Sequence, residues 1–346
     1  MCPAFSPPLP SSSTSFDTKY LKPIPNSKNQ TTTVMKTTLY SLLAAAACGM
    51  ALGQTAYTTP VGYYNFDGKA GGNLFVPCLV KPAAFAGVIT GAGATTLTTS
   101  GLIANAFDDG AVYATHYVEI TSGPNAGTTV DIASNTATVI TLASDISALG
   151  LAGTEGITVR PHVTLKSSLE GAEASLIPFT DVATFYAVDG STASYIYGAD
   201  AATGWSSDFA TADGDERPIQ PGTGVILGLA GDVALTVSGE TKSGPTVVQL
   251  GIGFINIVGP VNPLVGTTVS LNDTGLGGLA AFSDGITVYV PGPLDTSVSY
   301  VPLGDGTISS DFGSATTDTL DNTTGVVVIP TAGGSVTLNS GFTVAP

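Results

Sequence analysis

Ser206-Ser207-Asp208-Phe209 and Ser309-Ser310-Asp311-Phe312 are the same four letters, about one hundred residues apart. Around them the second half of the chain is written twice. Phe179, Asp181, Thr184 and Tyr186 answer Phe282, Asp284, Thr287 and Tyr289. Thr223-Gly224-Val225 answers Thr324-Gly325-Val326, Ser168-Leu169 answers Ser270-Leu271, and Ser238-Gly239 answers Ser340-Gly341. Such self-similarity at a fixed offset marks a duplicated structural unit. A fainter echo reaches upstream, where Val61 to Pro82 has the order of Val247 to Pro263.

The runs between these marks are short and β-rich. Val182–Val188, Gly224–Leu229, Val233–Val237 and Gly325–Ile329 are each bounded by Gly, Asp, Pro or Ser, which is the pattern of strands between turns. Helical periodicity is nearly absent, apart from single turns at Asp145–Gly150 and Gly275–Ala281. Residues 88–165 follow their own rule. Val112–Ile120, Thr129–Ile132 and Thr138–Leu142 are three strands joined by Gly- or Asn-bearing turns, a meander that can close as a small barrel. The expected fold is therefore all-β, with two related β-sandwich or barrel-like domains. The first is 54–87 plus 166–244, the second is 245–346, and a small β-barrel (88–165) is inserted in the first.

Residues 35–53 carry a short basic start (Met35-Lys36), an apolar run and a small-residue exit at Ala51-Leu52-Gly53. That is the build of a secretory signal peptide cut before Gln54. Residues 1–34, rich in Pro, Ser, Thr and Asn, read as a start-site artefact, with translation beginning at Met35, or as a disordered leader. A lipid-attachment reading of Cys48 lacks the Leu three residues upstream, where Ala45 stands instead.

The chain carries 10 Lys and Arg against 26 Asp and Glu, a formal charge of −16. Removing residues 1–53 takes away four lysines and one aspartate, so the mature chain is more negative still. A strongly acidic chain lacks the cations that neutralise nucleic-acid phosphates or anionic lipid. Charged residues are only 10% of the chain, against 43% apolar, a balance that supports a buried core. After cleavage Cys78 is the one cysteine, which excludes an internal disulfide and makes it a buried small hydrophobe.

The segments Thr59-Pro60-Val61-Gly62-Tyr63, Lys81-Pro82-Ala83-Ala84-Phe85-Ala86-Gly87 and Ile120-Thr121-Ser122-Gly123 resemble, in this order, an uncharacterised family of exported proteins from verrucomicrobial bacteria. So do Ser134-Asn135-Thr136-Ala137, Pro221-Gly222-Thr223-Gly224-Val225 and Leu271-Asn272-Asp273-Thr274-Gly275-Leu276. The resemblance implies secretion, a β-rich build and a duplicated design, and brings no activity with it. This chain departs from the pattern in its second copy, where Asn322-Thr323-Thr324-Gly325 replaces the Pro-Gly-Thr-Gly element.

Reaction chemistry is poorly represented. The two histidines, His116 and His162, fall in or beside strands, and no Gly-x-Ser-x-Gly elbow is present. Two histidines and one mature cysteine are too few for a zinc site. Asp208, Asp213, Asp215 and Glu216, the last three in the densest acidic run of the chain, offer oxygen ligands that calcium could use, although the spacing fits no EF-hand and a solvated turn is the favoured reading. Tyr195, Tyr197, Trp205 and Phe209 cluster in the first copy and form the candidate ligand-binding set. Trp205, which aligns with Ile308, is either a sugar-binding face or a core plug, the latter being favoured. Strands shorter than a membrane barrel needs, and an end at Pro346 rather than an aromatic, argue against an outer-membrane barrel.

The expectation from these residues is an exported, non-catalytic extracellular or cell-envelope protein with a structural or adhesive role. It does not bind nucleic acid, is not inserted in a membrane, and meets either itself or a cell-surface glycan. The alternative is a carbohydrate-binding protein using the Trp205 region.

Overall fold

The computed structural model describes residues 61–108, 112–198, 204–209, 211–242, 244–259, 268–289, 297–311, 314–320, 325–332 and 334–339. The expected leader, signal peptide and Cys48 lie outside the described residues, as do Phe312 and the Ser340-Gly341 pair.

The chain is nearly all β. The first strands among the described residues are β1 (Val61–Gly68) and β2 (Gly71–Phe75). Then come β3 (Phe85–Val88), β4 (Gly91–Ala92), β5 (Thr96–Thr98), β6 (His116–Ile120), β7 (Thr129–Asn135), β8 (Val139–Leu142) and β9 (Gly156–Pro161). Next are β10 (Val163–Thr164), the single helical turn α1 (Leu165–Ser168), β11 (Val182–Tyr186), β12 (Thr192–Tyr197), β13 (Trp205–Ser206), β14 (Pro218–Ile219), β15 (Val225–Leu229) and β16 (Val233–Glu240). The last run is β17 (Thr246–Gln249), β18 (Asn256–Val258), β19 (Val269–Ser270), β20 (Gly285–Tyr289), β21 (Ser297–Pro302), β22 (Ile308–Ser309), β23 (Thr319–Leu320), β24 (Val326–Ile329) and β25 (Ser335–Leu338).

Strand order repeats with the sequence. One antiparallel sheet runs β13-β12-β11-β15-β2 and another runs β22-β21-β20-β24-β18. The ribbon β1-β16 is matched by β17-β25, and β10-β14 by β19-β23. Each half surrounds its own apolar cluster, the first containing Tyr64, Phe75, Cys78, Leu165 and Leu227, the second Val258, Leu271, Ile286, Val326 and Leu338.

The repeated letters hold the turns. Asp181 is fully buried and accepts hydrogen bonds from the Ile177 and Ala230 backbone N–H groups, both at 2.7 Å. Asp284, buried in the same way, accepts from Ala280 N–H at 2.8 Å and Thr331 N–H at 2.6 Å. Just before each, Phe179 and Phe282 adopt left-handed φ of 58° and 56°, unusual for a bulky side chain, so the buried carboxylates fix the same strained turn twice. Ser206 and Ser309 each donate to the aspartate two residues on, Asp208 at 3.1 Å and Asp311 at 2.8 Å.

Two features depart from the sequence reading. The ladders align Ser270-Leu271 with Thr164-Leu165 rather than with Ser168-Leu169, because Val163 faces Ile219 as Val269 faces Leu320. Thr164 caps α1 by accepting the Ser167 N–H, and Leu165 and Leu271 are both buried. The seams of the insertion also move. Phe85–Val88 pairs with β9, inside the inserted sheet, whereas Val163–Thr164 pairs with β14 in the first half.

The inserted strands run β3-β9-β6-β7-β8-β5-β4. Residues 85–92 pair with β9 through β3 and with β5 through β4, so one continuous segment brings this order back to its start. The interior holds Ile89, Leu97, Val118, Ile120, Ile132, Ile140 and Val159. On β6 the other face is buried as well, at Tyr117 and Glu119, because it packs on the rest of the chain rather than on solvent.

The two five-stranded sheets share a fourth apolar cluster, of Leu74, Val76, Ile257 and Val327 with Tyr186, Ile226 and Tyr289 against it. Gly224 N–H donates to Ile257 C=O at 3.0 Å, and its counterpart Gly325 N–H donates to Leu74 C=O at 3.3 Å. The exchange is reciprocal, so the halves meet about a local pseudo-twofold. A Cβ on Gly224 would collide with the Phe75 carbonyl, which explains glycine there.

Candidate functional site

The aromatic set does not form an exposed platform. Trp205 is 2% exposed and Tyr195 4%; both belong to the first apolar cluster. Tyr195 meets Phe185 edge-on at 5.8 Å and its hydroxyl bonds the Tyr113 hydroxyl at 2.8 Å. Burial, with that bond second, pushes the Tyr195 phenol up to about 12. Tyr197 is half-buried, with its ring centroid 5.4 Å from that of Trp205 at an interplanar angle of 54°. Phe209 stands apart, exposed, in left-handed backbone, 6.0 Å from the Phe179 ring.

Tyr197 and Trp205 wall a cavity of about 210 Å³, completed by Lys166, Leu169, Glu173, Leu176, Gly204 and Asp215. Asp215 is buried and fully engaged. One oxygen accepts the Trp205 backbone N–H at 2.8 Å and the other the Lys166 ammonium at 2.7 Å. That bond raises the Lys166 pKa. Strand register sets the cavity's residues: Tyr197 pairs with Trp205 as Pro302 pairs with Ile308, so the second half lacks both aromatic walls.

The acidic run is spent on its own loop. Asp213 accepts the Ser207 N–H at 2.8 Å and hydroxyl at 2.6 Å. Asp208 accepts from the Ser206 hydroxyl and from the Thr211 N–H and hydroxyl. Glu216 is exposed. Among the described residues, no group of three or more His, Cys, Asp or Glu side chains is placed to hold a metal ion.

A buried charge network that the sequence did not reveal joins the inserted sheet to the rest. Arg160 on β9 bonds Glu240 at the end of β16 at 2.5 Å and lies 3.9 Å from Glu119 on β6. Lys242 pairs with Glu119 at 2.7 Å. All four side chains are at most 10% exposed. Burial lowers the Lys242 pKa against the pull of Glu119. Beside them His162 lies 3.1 Å from Asp131, which also accepts from Gln220 at 2.9 Å. Burial raises the Asp131 pKa, but the His162 and Gln220 bonds outweigh it and the net direction is down. His116 is lowered by burial and by His162. A larger groove of about 430 Å³ beside Asp131 and Gln220 is lined mainly by Val, Thr, Pro and Gln, with Asp131 the one charged group among the described residues that line it.

Among the described residues no helix is long and apolar enough to cross a membrane. No family model, curated protein or solved structure matches the chain.

Proposed function

We propose that the chain is an exported, non-catalytic β-protein of the extracellular space or cell envelope, with a structural or adhesive role. One observation carries this reading: the residues repeated between the halves are spent on turns. Asp181 and Asp284 tie backbone N–H groups, and Ser206 and Ser309 close loops. Residues kept for chemistry would instead converge on a cleft.

In this reading the chain holds two related β-domains, the first interrupted by an inserted barrel that begins at the strand Phe85–Val88 and ends with the strand Gly156–Pro161. The apolar stretch 35–53 directs export, consistent with the acidic, charge-poor composition and with the resemblance to an exported family. A partner is a second copy or a cell-surface glycan. Terminal sequencing of the native protein tests the address. A chain beginning at Gln54 in the envelope or medium agrees; an intact chain retained in the cytoplasm contradicts it.

A further inference from the structure

Glu119, on β6, and Lys242, just past the end of β16, meet where charge is hardest to hold: their side chains are 6% and 3% exposed. The Lys242 ammonium is 2.7 Å from Glu119 Oε1. It also donates to the backbone carbonyls of Gly244 and Pro245. Arg160 flanks the same carboxylate. Its Nε lies 3.9 Å from Oε2, buried and without a hydrogen-bond partner among the described residues. Two ions held out of water give up their hydration, and their mutual attraction restores only part of it. Condensing this pair to an amide would remove both charges and leave Arg160 balanced by Glu240.

The contacts are those the condensation needs. Burial lowers the Lys242 pKa, which favours passage of a proton from Nζ to Oε1. The amine left behind keeps two N–H groups, matched by the two backbone carbonyls, and its new lone pair lies on the side of Glu119. Attack on the carboxyl carbon forms the C–N bond and pushes an electron pair onto Oε2, where the Arg160 Nε–H can stabilise the charge. A second proton then passes from Nζ to Oε1. The electron pair returns from Oε2, the C–Oε1 bond breaks, and Oε1 leaves as water with both protons. Ammonium and carboxylate thus become an amide and one water, with no oxidant, cofactor or activating reagent. The fold supplies the effective concentration by holding the two groups together.

We infer that Glu119 and Lys242 join in an intramolecular isopeptide bond, formed by the folded chain itself. The bond staples the inserted sheet to the segment that leads from β16 towards β17. It is a covalent tie in a chain whose Cys78 is a buried free thiol. This goes beyond the structural role proposed above and does not depend on it.

Mass spectrometry of the purified mature chain, held folded for a day and then denatured, is the test. The intact mass should fall below the sequence mass by one water. Tryptic digestion should release a branched peptide joining Glu119 to Lys242, with no cleavage after Lys242. Lys242→Arg is the control. It keeps a cation beside Glu119, but a guanidinium stays protonated and does not attack. That variant should fold, as read by circular dichroism, and show its full sequence mass. If it does not fold, the wild-type branched peptide decides alone. A wild-type chain at its full sequence mass overturns the inference, as does a water loss that persists in folded Lys242→Arg. So does a water loss that fragmentation places at an aspartyl-glycine step instead of at Glu119 and Lys242. Cyclisation of an N-terminal Gln54 sheds ammonia rather than water and reads at a different mass.

Discussion

Replacing Asp181 or Asp284 by Ala tests whether the duplicated letters are scaffold. Each substitution strips a buried carboxylate of its bonds to two backbone N–H groups: Ile177 and Ala230 in the first half, Ala280 and Thr331 in the second. Hydrogen bonds to a charged acceptor are worth about 1.5–3 kcal/mol each, so losing two costs about 3–6 kcal/mol. The two variants should lose similar amounts, since the Thr331 hydroxyl, which also bonds Asp284, can turn elsewhere. Against a domain stability of about 5–15 kcal/mol this is a large fraction. Denaturant unfolding followed by far-UV circular dichroism and by Trp205 emission measures it. Trp205 lies in the first half only, yet the Asp284→Ala variant should shift both signals together. The shared cluster of Leu74, Ile257 and Val327, and the reciprocal Gly224 and Gly325 bonds, couple the halves. A loss below about 1 kcal/mol in either variant would refute the turn-fixing role, given the magnitude of a buried charged bond. An unmoved Trp205 transition in Asp284→Ala would refute the coupling.

Three further outcomes follow from the same geometry. Glu240→Gln leaves Arg160 and Lys242 sharing Glu119 in a buried site and should cost about 3–5 kcal/mol, with faster amide exchange in β9 and β6; a loss near zero would mean that the network does not anchor the inserted sheet. The folded-state pKa of Asp131 is depressed, so its contribution is present above the unfolded carboxylate value of about 4 and is lost as pH falls through the folded value. Asp131→Asn should therefore flatten the acid limb of the stability–pH curve below that pH, and an unchanged limb would contradict the assignment. Because Asp208, Asp213 and Asp215 already accept bonds from their own loop and from Lys166, millimolar calcium should leave the melting temperature unmoved; a clear rise would restore a calcium site there.

The fold was legible where local chemistry dictates it. Val182–Tyr186 and Val326–Ile329 are strands because β-branched and aromatic residues lie between turn formers, and the repeat placed equivalent turns at Asp181 and Asp284. At the single turn near Asp145, Gly150 closes it in left-handed backbone, while Asp145 accepts the Ser147 N–H from one residue further out than a cap. What stayed hidden depends on distant partners. Asn73 and Asn256 do the same work, each bonding several backbone carbonyls at the turn into β2 and β18, but share too few neighbouring letters to be matched. Arg160 meets Glu240 across 80 residues of sequence, and only the fold brings them together. A signal existed all the same: Glu119 interrupts the apolar run of β6 in a chain with few charges, and a carboxylate there needs a buried cation. At the candidate site Tyr197, Trp205 and Asp215 do come together, but Trp205, like Tyr195, is buried in the core, and Phe209 turns outward. Lys166 and Glu173, two further walls of the cavity, carry no motif that would have nominated them.

The most direct test of the structural or adhesive role is the state of the native protein where it is made. Electron microscopy and sizing of envelope and extracellular fractions should find the mature chain in assemblies or attached to the cell surface. Recovery of the native protein solely as free monomers in the medium would contradict the account.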